Sequence, residues 1–241
     1  MSNIVFVILA MIIASTVSCR GNEDSIKEGN SMSDKIKLPQ PVYNSQNSIE
    51  KALHERRSVR SYKSEPLKLG EISQLLWAGY GITKPLSEPA FLRGGFRTAP
   101  SAGALYPLEL YLVAGNVEGL SAGIYKYYSE EHALKLIAEG DFRKKLCEAA
   151  FSQTMLEEAP ASIVYSAVYE RTSGKYGSRG RERYVCIDLG CSAENVWLQA
   201  VSLGIGTVSV GSFNDEKVKI LLKIPQEEEP LLIMPLGRKQ D

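Results

Sequence analysis

"TAPSAGALYPLELYLV", Thr98 to Val113, places two prolines, Pro100 and Pro107, around the smallest side chains in the neighbourhood: Ser101, Ala102, Gly103 and Ala104. An alternating apolar run follows at once, so Leu108 to Ala114 is expected to be a strand. A turn into a strand needs about one glycine. A whole patch without bulk also lets a flat group approach the backbone. Two readings therefore stand for Pro100 to Gly103: a wide turn, or a backbone surface for a planar ring.

Working outward, Ser48 is a helix N-cap, with Ile49, Ala52 and Leu53 on one face of a helix ending near Arg57. A second helix covers Leu69 to Ala78, and Pro85 to Phe96 reads as loop. Strands are expected at Gly123 to Tyr128, Leu134 to Ala138 and Ala161 to Val168, with a helix from Phe142 to Phe151 between the last two. The longest periodic segment, Arg181 to Leu203, is apolar nearly all round, which places it mid-fold or at a subunit interface. Gly204 and Gly206 close it. A strand from Thr207 to Val210, a helix from Glu216 to Leu222 and a last strand from Leu231 to Leu236 complete the chain. The expected fold is α+β: a central mixed or antiparallel sheet with helices around it and one long central helix.

The 241 residues, 44% of them hydrophobic, suffice for one sizeable core or at most two small ones. Basic and acidic residues balance at 28 each, and no stretch interleaves basic and aromatic residues, so nucleic acid is not an expected partner. Two distant histidines and four cysteines without a CxxC pair speak against a metal site.

The N-terminus differs in kind. Ile4 to Ala14 is an unbroken apolar run of signal-peptide length, and Thr16 and Ser18 are the small residues that cleavage before Cys19 requires. The pattern resembles a bacterial lipobox, although Met1 to Asn3 carries no basic residue and Thr16 stands where leucine is usual. Residues 1–19 are expected to be an export signal with Cys19 lipidated, an uncleaved anchor or buried helix being the other reading. Residues 20–47 read as a solvated tether and residues 48–241 as the folded domain, with Cys147, Cys186 and Cys191 as small core residues. The expected location is the outer face of a membrane.

Four segments carry candidate chemistry. In "HERRSVRSY", Arg56, Ser58 and Arg60 alternate as the chain leaves a helix, so two guanidiniums and a hydroxyl point one way and suit a phosphate. The alternative is a solvated basic helix end. The small-residue stretch is the second. "LGIGTVSVGSF" offers backbone N–H groups at Gly211 and Ser212; its glycines follow a helix and precede a strand, the reverse of a dinucleotide fingerprint. In "PLGRK", Arg238 either reaches back to a phosphate or stays solvated. No GxSxG elbow accompanies Ser101, so a hydrolase is disfavoured.

In this order the four segments resemble the nitroreductase-like flavoprotein superfamily. They are most similar to its branch of azoline-forming dehydrogenases, which act on thiazole- and oxazole-modified peptides. "RRSVRSY", "APSAGALYPLELYLV", "LQAVSLGIGTVSVGSF" and "PLGR" carry the likeness over Ser48 to Arg238. It implies non-covalent FMN, a homodimer, and NAD(P)H as one candidate donor. Arg56, Ser58, Arg60 and Arg238 would hold the phosphate and ribityl chain. Pro100, Ser101, Ala102 and Gly103 would lie along the ring, and Gly211 or Ser212 would donate to it. Lys175 and Tyr176 resemble a Lys–Tyr pair that moves protons in the azoline branch. That branch usually has Gly-His where this chain has Gly190-Cys191. The expected activity is hydride transfer between a nicotinamide or other donor and a small organic substrate. The alternatives are dehydrogenation of a modified peptide, or a non-catalytic flavin-binding lipoprotein.

Overall fold

The computed structural model describes residues 35–240, so the export segment, Cys19 and the first part of the tether lie outside the described residues. In chain order the elements are β1 (Lys35–Lys37), α1 (Ile49–Glu55), β2 (Leu67–Lys68), α2 (Leu69–Tyr80), β3 (Ile82–Pro85), β4 (Gly95–Arg97), β5 (Leu108–Ala114), β6 (Val117–Glu118), β7 (Gly123–Tyr128), β8 (Ala133–Glu139), α3 (Arg143–Ala149), α4 (Met155–Glu158), β9 (Ala161–Ala167), α5 (Glu170–Tyr176), α6 (Val185–Ser202), β10 (Ile205–Thr207), α7 (Asp215–Leu222) and β11 (Glu229–Arg238). Ser48 caps α1 as expected, its side chain accepting from the Lys51 N–H.

Seven strands form the main sheet in the order β1-β8-β7-β5-β9-β11-β10, every neighbouring pair antiparallel. Alternation along β5 feeds two cores. Leu108, Leu110 and Leu112 pack with Ile72, Leu75 and Leu76 of α2 and with Val196 and Ala200 of α6. Tyr111 and Val113 turn the other way, onto Leu146 of α3, Leu156 of α4 and Leu222 of α7. Helices α2 and α6 meet at Gly79, where a Cβ would lie 2.8 Å from the Tyr165 hydroxyl. The Ser192 hydroxyl fills that contact by donating to the Gly79 carbonyl at 2.6 Å.

Four expectations change. The folded part reaches back from Ser48 to at least Lys35: β1 pairs with β8, and Leu38 is buried in the first core. The stretch from Glu170 to Gly180, to which the sequence reading assigned no element, holds α5, and a π-helical turn (Gly180–Tyr184) leads from it into α6. The strand expected at Thr207 to Val210 sits earlier, at β10, because Val210 pairs singly with Ile233. Helix α6 is buried along its sheet face only; its outer face is apolar as well but leaves Cys186 and Ile187 exposed, so Cys186 is no core residue.

The arm from Lys35 to Asn47 is tied down by polar contacts. The Ser73 hydroxyl donates to the Pro39 carbonyl at 2.5 Å, and Gln74 pairs with both backbone groups of Val42. His132 Nε2 lies 2.8 Å from Ser73 Oγ and 3.0 Å from the Pro39 carbonyl, while Tyr127 Oη is 2.9 Å from Nδ1. Burial lowers the His132 pKa from its ordinary 6.5, with Lys37 adding to the effect and the Pro39 bond opposing it. A lowered folded pKa contributes stability above the unfolded value that is lost as pH falls through the folded one. Stability is therefore expected to decline as pH drops below about 6.5. His132→Gln should flatten that decline in urea titrations followed by Trp77 fluorescence, since Trp77 lies 5.3 Å from the Tyr43 ring of the arm.

Candidate active site

The small-residue stretch is held from below by a residue that the sequence reading passed over. Asp188 of α6 accepts from the Ser101 hydroxyl at 2.6 Å and from the Ala102 N–H at 3.1 Å. Ser101 Oγ in turn accepts from the Tyr106 N–H at 2.9 Å. This clamp lets the chain hold left-handed backbone at Gly103 (φ 63°), Ala104 (φ 54°) and Tyr106 (φ 47°). Burial pushes the Asp188 carboxyl pKa up, and its two hydrogen bonds offset only part of that rise. The signal was legible: Asp188 falls on the buried row of α6 with Val185, Ser192 and Val196, where an unpaired charge is rare.

Across the loop stands α5. A Cβ at Gly103 would lie 2.6 Å from the Tyr176 hydroxyl and 3.3 Å from Lys175 Nζ, so Lys175 and Tyr176 lie against the small-residue loop. Tyr176 packs edge-on against Tyr184 at 5.0 Å, and Lys175 is exposed. Arg171 anchors α5, donating to Glu109 at 2.6 Å and to the Tyr106 carbonyl at 3.3 Å.

The arginines gather elsewhere. The Arg56–Tyr62 run lies along the sheet edge: Val59 N–H donates to the Thr207 carbonyl at 3.0 Å, and Lys63 N–H donates to the Arg238 carbonyl at 3.0 Å. This brings the first arginine motif beside the last strand. The Arg56 guanidinium stacks 4.3 Å over the Trp197 ring of α6. Ser58 and Arg60 are exposed, and Arg60 has no ion-pair or hydrogen-bond partner among the described residues. Arg238 is neither solvated nor free, for it donates to Glu71 at 2.5 Å and to the Leu203 carbonyl at the end of α6 at 3.1 Å. Beside this edge, Thr207 Oγ1 and Trp197 Nε1 are buried without a partner among the described residues. Gly211 and Ser212 are exposed further along, where the Ser212 carbonyl accepts from Gln153 at 2.8 Å.

One chain does not merge these groups. From Asp188 to Trp197 the helix advances about 14 Å and makes about two and a half turns, a net rotation of about half a revolution, and to Leu203 it advances about 22 Å. The arginines and the small-residue loop thus lie at different places along α6, with Arg56 and Asp188 on opposite faces of it.

Comparison with known proteins agrees with this architecture. The Nitroreductase family model matches residues 53–238. A Methanocaldococcus jannaschii protein named as a nitroreductase is 46% identical over 191 residues, covering 79% of this chain and 91% of that one. The microcin B17-processing protein McbC of Escherichia coli is 26% identical over 151 residues, 60% of this chain and 55% of that protein. A crystal structure of a nitroreductase-like protein from Ralstonia eutropha superposes with a TM-score of 0.73 at 29% identity, covering 86% of this chain and 90% of that one.

Proposed function

This chain belongs to the nitroreductase family, and within it we propose an oxidoreductase that holds FMN between two copies of itself. The residues fit that cofactor. Arg60, whose guanidinium has no partner among the described residues, Arg56 and the Ser58 hydroxyl form a charge-assisted donor set for a phosphate, and the Thr207 hydroxyl, likewise without a partner among the described residues, adds a neutral one. The Pro100–Gly103 loop offers backbone without bulk to a planar ring. Because the two groups sit on opposite faces of α6, the loop that completes each arginine edge is taken from the second copy. Arg238 serves mainly as a brace for Glu71 and the end of α6 in this reading.

Bound FMN would supply two-electron transfer between a donor such as NAD(P)H and a small organic substrate. The chain's own residues do the rest. Arg56, Ser58 and Arg60 grip the anionic tail; Asp188 holds the loop that orients the ring; the Tyr176 hydroxyl and Lys175 Nζ stand where a proton can be held or delivered. The relative named FMN reductase [NAD(P)H] in Bacillus subtilis, 22% identical over 81% of this chain, supports the cofactor and donor assignment. Export, with Cys19 lipidated and the domain held at a membrane, completes the proposal.

The observation that carries this reading is the Asp188-clamped turn at Gly103 facing Lys175 and Tyr176. The test is a visible spectrum of the purified chain, followed by anaerobic titration with NADH and NADPH. Flavin absorbance that bleaches on titration is expected; a colourless protein that gains none after FMN is added would contradict it.

The same pair favours one second reading, dehydrogenation of a modified peptide, which the likeness to McbC supports. Lys175→Ala with Tyr176→Phe should abolish turnover there, yet in a simple reductase leave reduction of the flavin by NAD(P)H, which draws no proton from the pair, largely intact. A flavin that stays oxidised with every donor would instead mark a non-catalytic flavin-binding lipoprotein.

A further inference from the structure

A second built site lies at the start of β5, apart from the flavin reading. Arg93, Arg97, Lys126 and Arg171 gather there around two buried carboxylates, Glu109 and Glu228, on a cavity of about 470 Å³. Glu109 accepts from Arg93 at 2.7 Å and Arg171 at 2.6 Å, with Lys126 Nζ at 3.4 Å. Glu228 accepts from Lys126 at 2.7 Å, from the Tyr111 hydroxyl at 2.8 Å and from the Ser166 hydroxyl at 2.7 Å. Burial pushes the Glu109 carboxyl pKa up, but Arg93, Lys126 and Arg171 more than offset it and keep the group ionised. Both carboxylates are thus fully engaged, and they balance two of the four cations.

Arg97 is the side chain left over. It is 8% exposed, stacked 4.7 Å from the Tyr80 ring and 4.5 Å from the Tyr106 ring. Its Nη2 donates to the Arg93 carbonyl and to Ser129 Oγ, both at 3.1 Å. Its Nε and Nη1 are buried without a partner among the described residues. A guanidinium does not shed its proton, and a buried cation with two idle donors is costly until an anion joins it. The aromatic faces supply part of that compensation but accept no hydrogen bond in the guanidinium plane.

We propose that this cavity binds a small monocarboxylate with an apolar body. Its carboxylate would pair with Arg97, supported by Arg93, and its body would lie against Tyr80, Leu108, Leu110 and Tyr127, which line the same space. The rim sets the charge limit. Glu130, Glu131 and Glu227 are the exposed carboxylates of the lining. Lys35 pairs with Glu131 at 2.5 Å and Lys37 Nζ donates to the Glu131 carbonyl at 3.0 Å, so acids still outnumber bases at this exposed part and a single negative charge is admitted more readily than a phosphate dianion.

The probe is benzoate, set against inorganic phosphate and chloride at matched ionic strength, with the melting temperature of the full chain as readout. A saturable rise with benzoate alone, absent in Arg97→Met, is expected. No saturable rise, an equal rise in Arg97→Met, or an equal rise with phosphate would each overturn the assignment. Should Arg97→Met not fold, the wild-type protein decides by NMR. Intermolecular NOEs from benzoate to the Tyr80 and Tyr127 rings support the site, and their absence at saturating benzoate overturns it. Neither readout depends on bound flavin, so failure here leaves the FMN reading standing.

Discussion

Asp188→Ala is expected to purify without flavin and to unfold at lower urea. The substitution removes the acceptor for both the Ser101 hydroxyl and the Ala102 N–H. Leaving such groups unsatisfied costs about 1–3 kcal/mol. The larger consequence is geometric. Ser101 Oγ no longer fixes the Tyr106 N–H, and the left-handed turn at Gly103 and Ala104 loses what over-determines it. Asp188→Asn separates the two effects, since an amide oxygen can still accept from Ala102 while carrying no charge. It should lie within about 1 kcal/mol of wild type and keep its flavin. The pH dependence is distinctive. A carboxyl whose folded pKa is raised above its ordinary 3.8 binds more protons in the folded state, so its contribution falls as pH rises through that interval. As pH rises above about 4 the wild type should therefore lose stability relative to Asp188→Asn, and urea midpoints at several pH values measure it directly.

Gly103→Val should have a comparably large effect for a different reason. A β-branched residue at φ 63° carries left-handed strain of about 1–2 kcal/mol. Its Cβ would also sit 2.6 Å from the Tyr176 hydroxyl, so either the loop or α5 must move. Flavin retention and thermal stability should both drop. The two costs are separable, because the clash is with one oxygen. Gly103→Ala combined with Tyr176→Phe should recover more stability than the single effects sum to, while the backbone strain persists. Strict additivity in melting temperature would mean that the hydroxyl does not meet the loop.

Much of the frame was legible because it rests on local rules. Strand β5 lies at Leu108 to Ala114, where proline and alternation place it, and the Ser48 cap and the glycine stop after α6 follow from residue chemistry. The arm was not legible. Its polar composition resembles a tether, and what docks it is backbone pairing of β1 with β8 plus a few contacts from Leu38, Ser73, Gln74 and His132. The pairing of Arg238 was not legible for a related reason, since Glu71, its partner, lies far away in sequence. Lys175 and Tyr176 were picked out by likeness, and the structure gives them a physical neighbour in Gly103. Sequence order lists the arginines and the small-residue loop in one series, yet it says nothing of which copy of the chain supplies each.

The proposed division of the site between two copies is measured most directly in mixed dimers. One tagged chain carries Arg56→Glu with Arg60→Glu, and a differently tagged chain carries Asp188→Ala. Each variant alone should hold no FMN. In the purified mixed dimer, one arginine edge and one loop remain intact and face each other across the interface, so one FMN per pair is predicted. Mixed dimers without flavin would contradict the account, because each chain would then have to supply its own arginines and its own loop to the same site.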